Sequence, residues 1–183
     1  MELTGGSIRF ESDPSIKAGT TCIVLMALSP CKAPQSLSGP KKAEKITEPI
    51  SVLVIDDIKM NRTMVKRRIL KGIAPNAKIQ EAATGEVALM ICGTEKFDVM
   101  IVDQFMDGAG GVMVGTDVVF AMRRMRIDSV LIGCSGNDIG AQFFDAGADM
   151  VWQKPMPTND QIIRDLRSCL DKRGFALSCC NGN

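Results

Sequence analysis

Apolar positions in this chain fall into two patterns, short unbroken runs and spaced repeats. Four runs each lead into a polar residue. Val52-Leu53-Val54-Ile55 leads into Asp56-Asp57, Val99-Met100-Ile101-Val102 into Asp103, Val130-Leu131-Ile132 towards Ser135, and Met150-Val151-Trp152 towards Lys154-Pro155. Such runs, bounded by turn residues, predict buried strands. The segments between them repeat as helices do. Val65, Ile69 and Ile73 recur every four residues, and Ile162, Ile163, Leu166, Cys169 and Leu170 share one helical face. Ile79, alone in a polar stretch, predicts a short further strand, and Thr84-Gly85 opens a helix containing Val87, Ala88 and Ile91. Val118, Val119, Met122 and Met125 mark a third helix, and a fourth starts near Asp138 with Ile139, Phe143 and Phe144.

Five strands and five helices in strict alternation, over residues 50–173, predict a flavodoxin-like, doubly wound α/β domain of the (βα)5 type with a five-stranded parallel sheet. Every apolar residue named above is expected in its core. Lys66, Arg67, Arg68 and Lys71 fall mainly outside the first helical stripe and are expected on a solvated face. Open α/β sheets keep their sites at the carboxyl ends of the strands. That rule would gather Asp56, Asp57, Asp103, Ser135 and Lys154 along one edge.

The flanks differ. In residues 1–28, Ile8 and Phe10 alternate with polar residues, Ser12-Asp13-Pro14 marks a turn, and Thr21 to Leu28 predicts a second strand. Residues 29–49 hold four prolines, several lysines and few apolar side chains, as a linker would. From Gly174 to residue 183 the periodicity is lost, which predicts a frayed tail. The net charge of +1 gives no electrostatic case for nucleic acid or a membrane surface as partner. The longest apolar stretch, Cys22 to Leu28, is too short to span a bilayer. Seven cysteines show no C-x-x-C spacing, which argues against a zinc site and for reduced thiols of a cytoplasmic protein.

The chain has no histidine, so any phosphoryl chemistry it performs must end on a carboxylate. Asp56 and Asp57 are adjacent acids at a strand end. They repel each other unless a hard cation neutralises them, and Mg²⁺ suits such a pair; the alternative is an acidic helix amino terminus. Asp103 ends a run apolar on both faces, where a lone carboxylate is costly unless paired or functional. A carboxylate there can act as a nucleophile and form an acyl phosphate. Ser135 alone would be a turn or cap serine, whereas Lys154 at the end of a buried strand is unusual without a partner.

In order and chemistry these residues resemble the receiver domain of two-component response regulators, over about Ser51 to Leu170. The resemblance implies Asp103 as phosphoacceptor and Mg²⁺ held by Asp56, Asp57, Asp103 and the backbone carbonyl of Phe105. It implies Ser135 and Lys154 as the groups that stabilise the phosphoryl oxygens, and a cis peptide before Pro155. It also implies a histidine kinase or histidine phosphotransfer protein as donor, and a readout on the fourth and fifth helices. Met106 and Asn61-Arg62 also fit the family.

Three features depart from it. Asp107 replaces a usual proline, Gly108-Ala109-Gly110-Gly111 lengthens what is expected to be a flexible loop, and Val151 stands where an aromatic switch residue is common. Leu3 to Ser12, continuing through Gly19-Thr20-Thr21, resembles the closing hairpin of a histidine-kinase ATPase domain, as though the chain were the carboxyl-terminal part of a hybrid kinase. Competing readings are a docking module that is never phosphorylated, and an aspartyl-nucleophile hydrolase of the haloacid-dehalogenase kind. The hydrolase usually carries a second acid two residues after the nucleophile, where this chain has Phe105.

Overall fold

The computed structural model describes residues 42–175 together with two strands nearer the amino terminus, β1 (Gly6–Glu11) and β2 (Thr21–Met26). The chain divides into two units, Met1–Lys41 and Lys42–Asn183. In the first, β1 and β2 pair antiparallel, with Gly6 opposite Met26 and Glu11 opposite Thr21. The turn between them, the stretch 27–41 and the tail from residue 176 lie outside the described residues.

The second unit alternates strand and helix throughout. Its strands are β3 (Ser51–Ile55), β4 (Lys78–Ala82), β5 (Val99–Asp103), β6 (Val130–Ser135) and β7 (Met150–Gln153). Its helices are α1 (Lys59–Arg68, continued by a π-helical turn Ile69–Ile73), α2 (Gly85–Cys92), α3 (Gly115–Arg124), α4 (Gly140–Asp145) and α5 (Asn159–Lys172). All neighbouring strands are parallel, in the order β4-β3-β5-β6-β7, which is the flavodoxin-like order.

Strand position explains the sequence pattern. Interior β5 and β6 are covered on both faces, so they read as continuous apolar runs. Edge strand β4 buries only Ala82 fully, which is why Ile79 was its one apolar signal. Alternate residues of each strand serve two cores. Val54, Ile101, Ile132 and Trp152 face α5 and the π turn, while Leu53, Met100, Val102 and Leu131 face α2, α3 and α4. Thr84 and Thr158 cap α2 and α5, their hydroxyls accepting from the amides of Val87 and Gln161 at 3.3 Å.

Several expectations need correction. Val87, Met125 and Phe144 are exposed rather than in the core. Val87 and Phe144 each adjoin a buried neighbour, Ala88 and Phe143, and a narrow helical face turns only one of two such residues inward. Met125 lies past the last turn of α3.

Arg68 is not simply solvated. Its guanidinium donates to Asn159 Oδ1 at 2.7 Å and to the Pro157 carbonyl, tying α1 to the start of α5. Residues 42–49, expected as the end of a linker, belong to the second unit. Ile46 is fully buried and its amide donates to the Ile73 carbonyl at 2.9 Å. One apolar residue among prolines and lysines gives no periodic signal. Phe175, past the expected end of order, likewise packs against the core and donates its amide to Leu170.

Candidate functional site

The carboxyl edge of the sheet gathers the predicted acids. Asp56 follows β3, Asp103 ends β5, and Asp57 follows Asp56. One carboxylate oxygen from each lies within 4.8 Å of the others. Asp103 pairs in register with Cys134, so Ser135, the last residue of β6, stands one step beyond it on the neighbouring strand. Lys154 reaches in from the end of β7. Its Nζ donates to Asp103 Oδ1 at 2.6 Å and Asp56 Oδ2 at 3.3 Å. The Lys154–Pro155 peptide is cis.

The acids are held differently. Asp56, the most buried, accepts from the Ile58 amide at 2.9 Å and from Asn61 Nδ2 at 3.1 Å on each oxygen. Arg62 grips the acidic turn from its backbone side, donating to the carbonyls of Asp56 at 2.6 Å and Asp57 at 3.1 Å. Its Nε meets Glu81 of β4 at 3.3 Å. Asp57 accepts from the amide of Gly108 at 2.8 Å. The Ser135 hydroxyl accepts from the Asn137 amide at 3.1 Å. Phe105 is half exposed and Met106 is buried.

Electrostatics follow from burial. Burial raises the Asp103 pKa, the hydrogen bond and charge of Lys154 pull it down, and the charge of Asp56 raises it again; the net shift is upward. For Lys154 burial disfavours the ammonium, but Asp103 and then Asp56 outweigh it and hold the pKa above its ordinary value. Burial pushes the Cys134 thiol up to about 11, so it stays protonated beside the acids. Three convergent carboxylates are hard oxygen donors, the chemistry that suits a hard divalent cation.

Arg62 and Asn61 follow the acids by one helical turn. The sequence marked them as a motif without their role. The glycine segment has two contacts the sequence does not show. Asp107–Ala109 forms a short 3-10 turn held by Asp57 through Gly108. Glu86, near the start of α2, accepts from the amides of Val112 at 2.9 Å and Met113 at 3.0 Å. Backbone amides carry no sequence signal, so neither contact was visible beforehand.

This strand order defines a flavodoxin-like α/β domain, and the acidic cluster lies at its carboxyl edge. Residues 52–167 match the family model for the response regulator receiver domain, and the chain belongs to that family. It is similar to the response regulator UvrY of Escherichia coli K12, 31% identical over 99 residues, or 54% of this chain and 44% of UvrY. The chain thus spans less than half the length of the curated relatives it matches. The receiver domain of Francisella response regulator 1452 shares the fold at TM-score 0.58 and 22% identity, covering 67% of this chain and 98% of that one. Vibrio cholerae CheY4 does so at TM-score 0.54 and 24% identity, covering 69% and 99%. Among the described residues no helix is long and apolar enough to cross a membrane.

Proposed function

We propose that this chain accepts a phosphoryl group on Asp103 from a phosphohistidine of a histidine kinase or a histidine phosphotransfer protein. The observation that carries the reading is the 2.6 Å contact of Lys154 with Asp103, set among three convergent carboxylates. An Asp103 oxygen attacks phosphorus in line, the bond from phosphorus to the donor imidazole breaks, and the imidazole keeps the electron pair and takes a proton. Lys154 then exchanges its carboxylate partner for a phosphoryl oxygen, and the Ser135 hydroxyl turns from the Asn137 amide to donate to another. Asp56, Asp57, Asp103 and the Phe105 carbonyl would hold Mg²⁺, which supplies charge neutralisation for the phosphoryl oxygens. Asn61 and Arg62 keep the acidic turn in place. Water attacking the acyl phosphate ends the signal.

Readout passes through Ser135 to residues 136–139 and α4 rather than through an aromatic swing. Val151 occupies the switch position, and Trp152 is buried with its ring N–H on Asp165 at 3.1 Å. Exposed Asp107 adds negative charge at the rim and slows phosphoryl loading. Residues 1–28 are the remnant of a kinase ATPase hairpin, and the protein works in the cytoplasm as part of a hybrid-kinase system. The exposed Phe105, where a hydrolase would need its second acid, disfavours the hydrolase reading.

The test is intact mass after incubation with Mg²⁺ and a small acyl phosphate, beside Asp103→Asn. A single metal-dependent phosphate adduct, absent from the variant, is the expected result. If neither the acyl phosphate nor a panel of phosphohistidine donors labels the wild-type chain, the docking-module reading replaces this one.

A further inference from the structure

The carboxylates of the acidic cluster differ in how firmly they are held. Asp56 is oriented by the Ile58 amide and Asn61, and Asp103 by Lys154 at 2.6 Å. The Asp57 side chain has a single hydrogen bond among the described residues, from the Gly108 amide to Oδ2 at 2.8 Å, and Oδ1 is left open. A Cβ on Gly108 would press on that same Oδ2, so the amide comes this close only because residue 108 is glycine. Everything that orients Asp57 therefore comes from the loop between β5 and α3.

That loop holds little of its own shape. Ala109 and Gly110 are exposed, and residues 109–111 make one hydrogen bond among the described residues, from the Gly110 amide to the Asp107 carbonyl at 3.1 Å. Its far side is fixed from outside. Glu86 Oε1 accepts the Val112 amide at 2.9 Å and the Met113 amide at 3.0 Å. Glu86 is itself well placed for this, in the first turn of α2, whose end is capped by Thr84. The loop is thus stretched between Glu86 and Asp57, with only small residues between the two ties.

We propose that Glu86 is a positioning residue of the cation site: by gripping the Val112 and Met113 amides it holds the Gly108 amide on Asp57. Its partners are loop amides, so it acts through Asp57 rather than on a ligand. The inference rests on the reading that Asp56, Asp57 and Asp103 hold a divalent cation, and it does not require Asp103 to be phosphorylated. Hydrogen bonds that orient a ligating carboxylate are commonly worth roughly ten- to a hundredfold in metal affinity.

The experiment is titration of the full chain with Mn²⁺, a divalent cation that suits oxygen donors and whose free form is counted by electron paramagnetic resonance. No phosphodonor is present. One site is expected in the wild type. Glu86→Asp keeps the charge but draws the acceptor back by one methylene, and it should bind Mn²⁺ roughly tenfold more weakly, as should Glu86→Ala. Glu86→Gln loses the charge but keeps an oxygen for both amides, and it should recover most of the affinity. Exchange of the Gly108 amide should quicken in the first two variants and stay slow in the third. Aspartate is favoured in a first helical turn, so Glu86→Asp leaves a folded protein to measure even if Glu86→Ala does not. Wild-type or tighter Mn²⁺ binding by Glu86→Asp, or a loss in Glu86→Gln as large as in Glu86→Ala, overturns the proposal and leaves the cation reading standing. Absence of any Mn²⁺ site in the wild type removes the cation reading, and the proposal with it.

Discussion

At the scale of single residues the site is built against its own stability. Asp103 ends a buried strand, and burial leads the causes that raise its pKa despite the ammonium of Lys154. A carboxyl whose folded pKa is raised contributes stability that is fully present below its unfolded value and lost as pH rises through the folded one. At neutral pH the charged Asp103 therefore costs stability, and an uncharged isostere does not. In chelator-treated buffer, Asp103→Asn should melt a few degrees above the wild type at neutral pH, with the gap closing on acidification as the wild-type carboxyl takes up its proton. Scanning calorimetry across that range checks it; a gap that widens on acidification would sink the idea. The residues behind this prediction were legible in the sequence because each ends an apolar run. What the sequence hid was how they are held. The Gly108 amide on Asp57 and the Arg62 contacts with two carbonyls involve main-chain atoms, and main-chain atoms are the same at every position.

At the scale of elements, close approaches and loop tethers set where Asp103 points. A Cβ built on Gly115 would collide with the Asp103 carbonyl, and the Gly115 amide donates to the Gln104 carbonyl at 2.8 Å. The start of α3 thus lies directly on the end of β5. Gly115→Ala should destabilise the domain by about 1–3 kcal/mol, as overpacking against backbone does, and should reduce phosphoryl labelling of the folded protein. Urea melts and intact mass read the two effects separately, and normal values for both would refute the close approach. The loop between these elements has a second tether in Glu86. Hydrogen bonds led by the Val112 amide push its pKa from 4.5 down to about 2. A depressed carboxyl contributes stability that is present above its unfolded value and lost as pH falls through the folded one. Amide exchange at Val112 and Met113 should therefore stay slow well below the ordinary carboxylate range and rise only near pH 2, whereas Glu86→Ala should lose the protection at every pH. Strands with two covered faces and long helices such as α5 were plain in the sequence. The tethers of the loop were not legible, because the partners of its glycine-rich run, Asp57 and Glu86, lie elsewhere in the chain.

At the scale of the whole molecule, the two ends of the sheet do opposite work. The carboxyl end crowds like charges into a site, while the amino end neutralises them. There Arg123 of α3 donates to the carbonyls of Gly147 and Ile127 at 2.8 Å each and of Ser129 at 3.0 Å, and to Asp149 at 2.7 Å. Asp149 also accepts from Arg173 at 2.6 Å and from the Leu131 amide at 2.8 Å, so one cluster joins α3, the amino ends of β6 and β7, and the residue that follows α5. None of this was legible in advance, because Arg123 and Asp149 sit in segments where charge is ordinary and only the fold brings them together. Removing the guanidinium leaves three carbonyls short of a donor and takes one of two arginines from Asp149. Arg123→Ala should cost about 2–4 kcal/mol in urea denaturation while leaving phosphoryl labelling of the folded fraction unchanged. Asp103→Asn should show the reverse: loss of labelling with a gain in melting temperature. Labelling that falls with Arg123→Ala under conditions where the variant is fully folded would mean that the amino-end cluster also sets the geometry of the acids at the other end of the strands. Strands β5 and β6 would then transmit strain along their length rather than simply hold the site rigid.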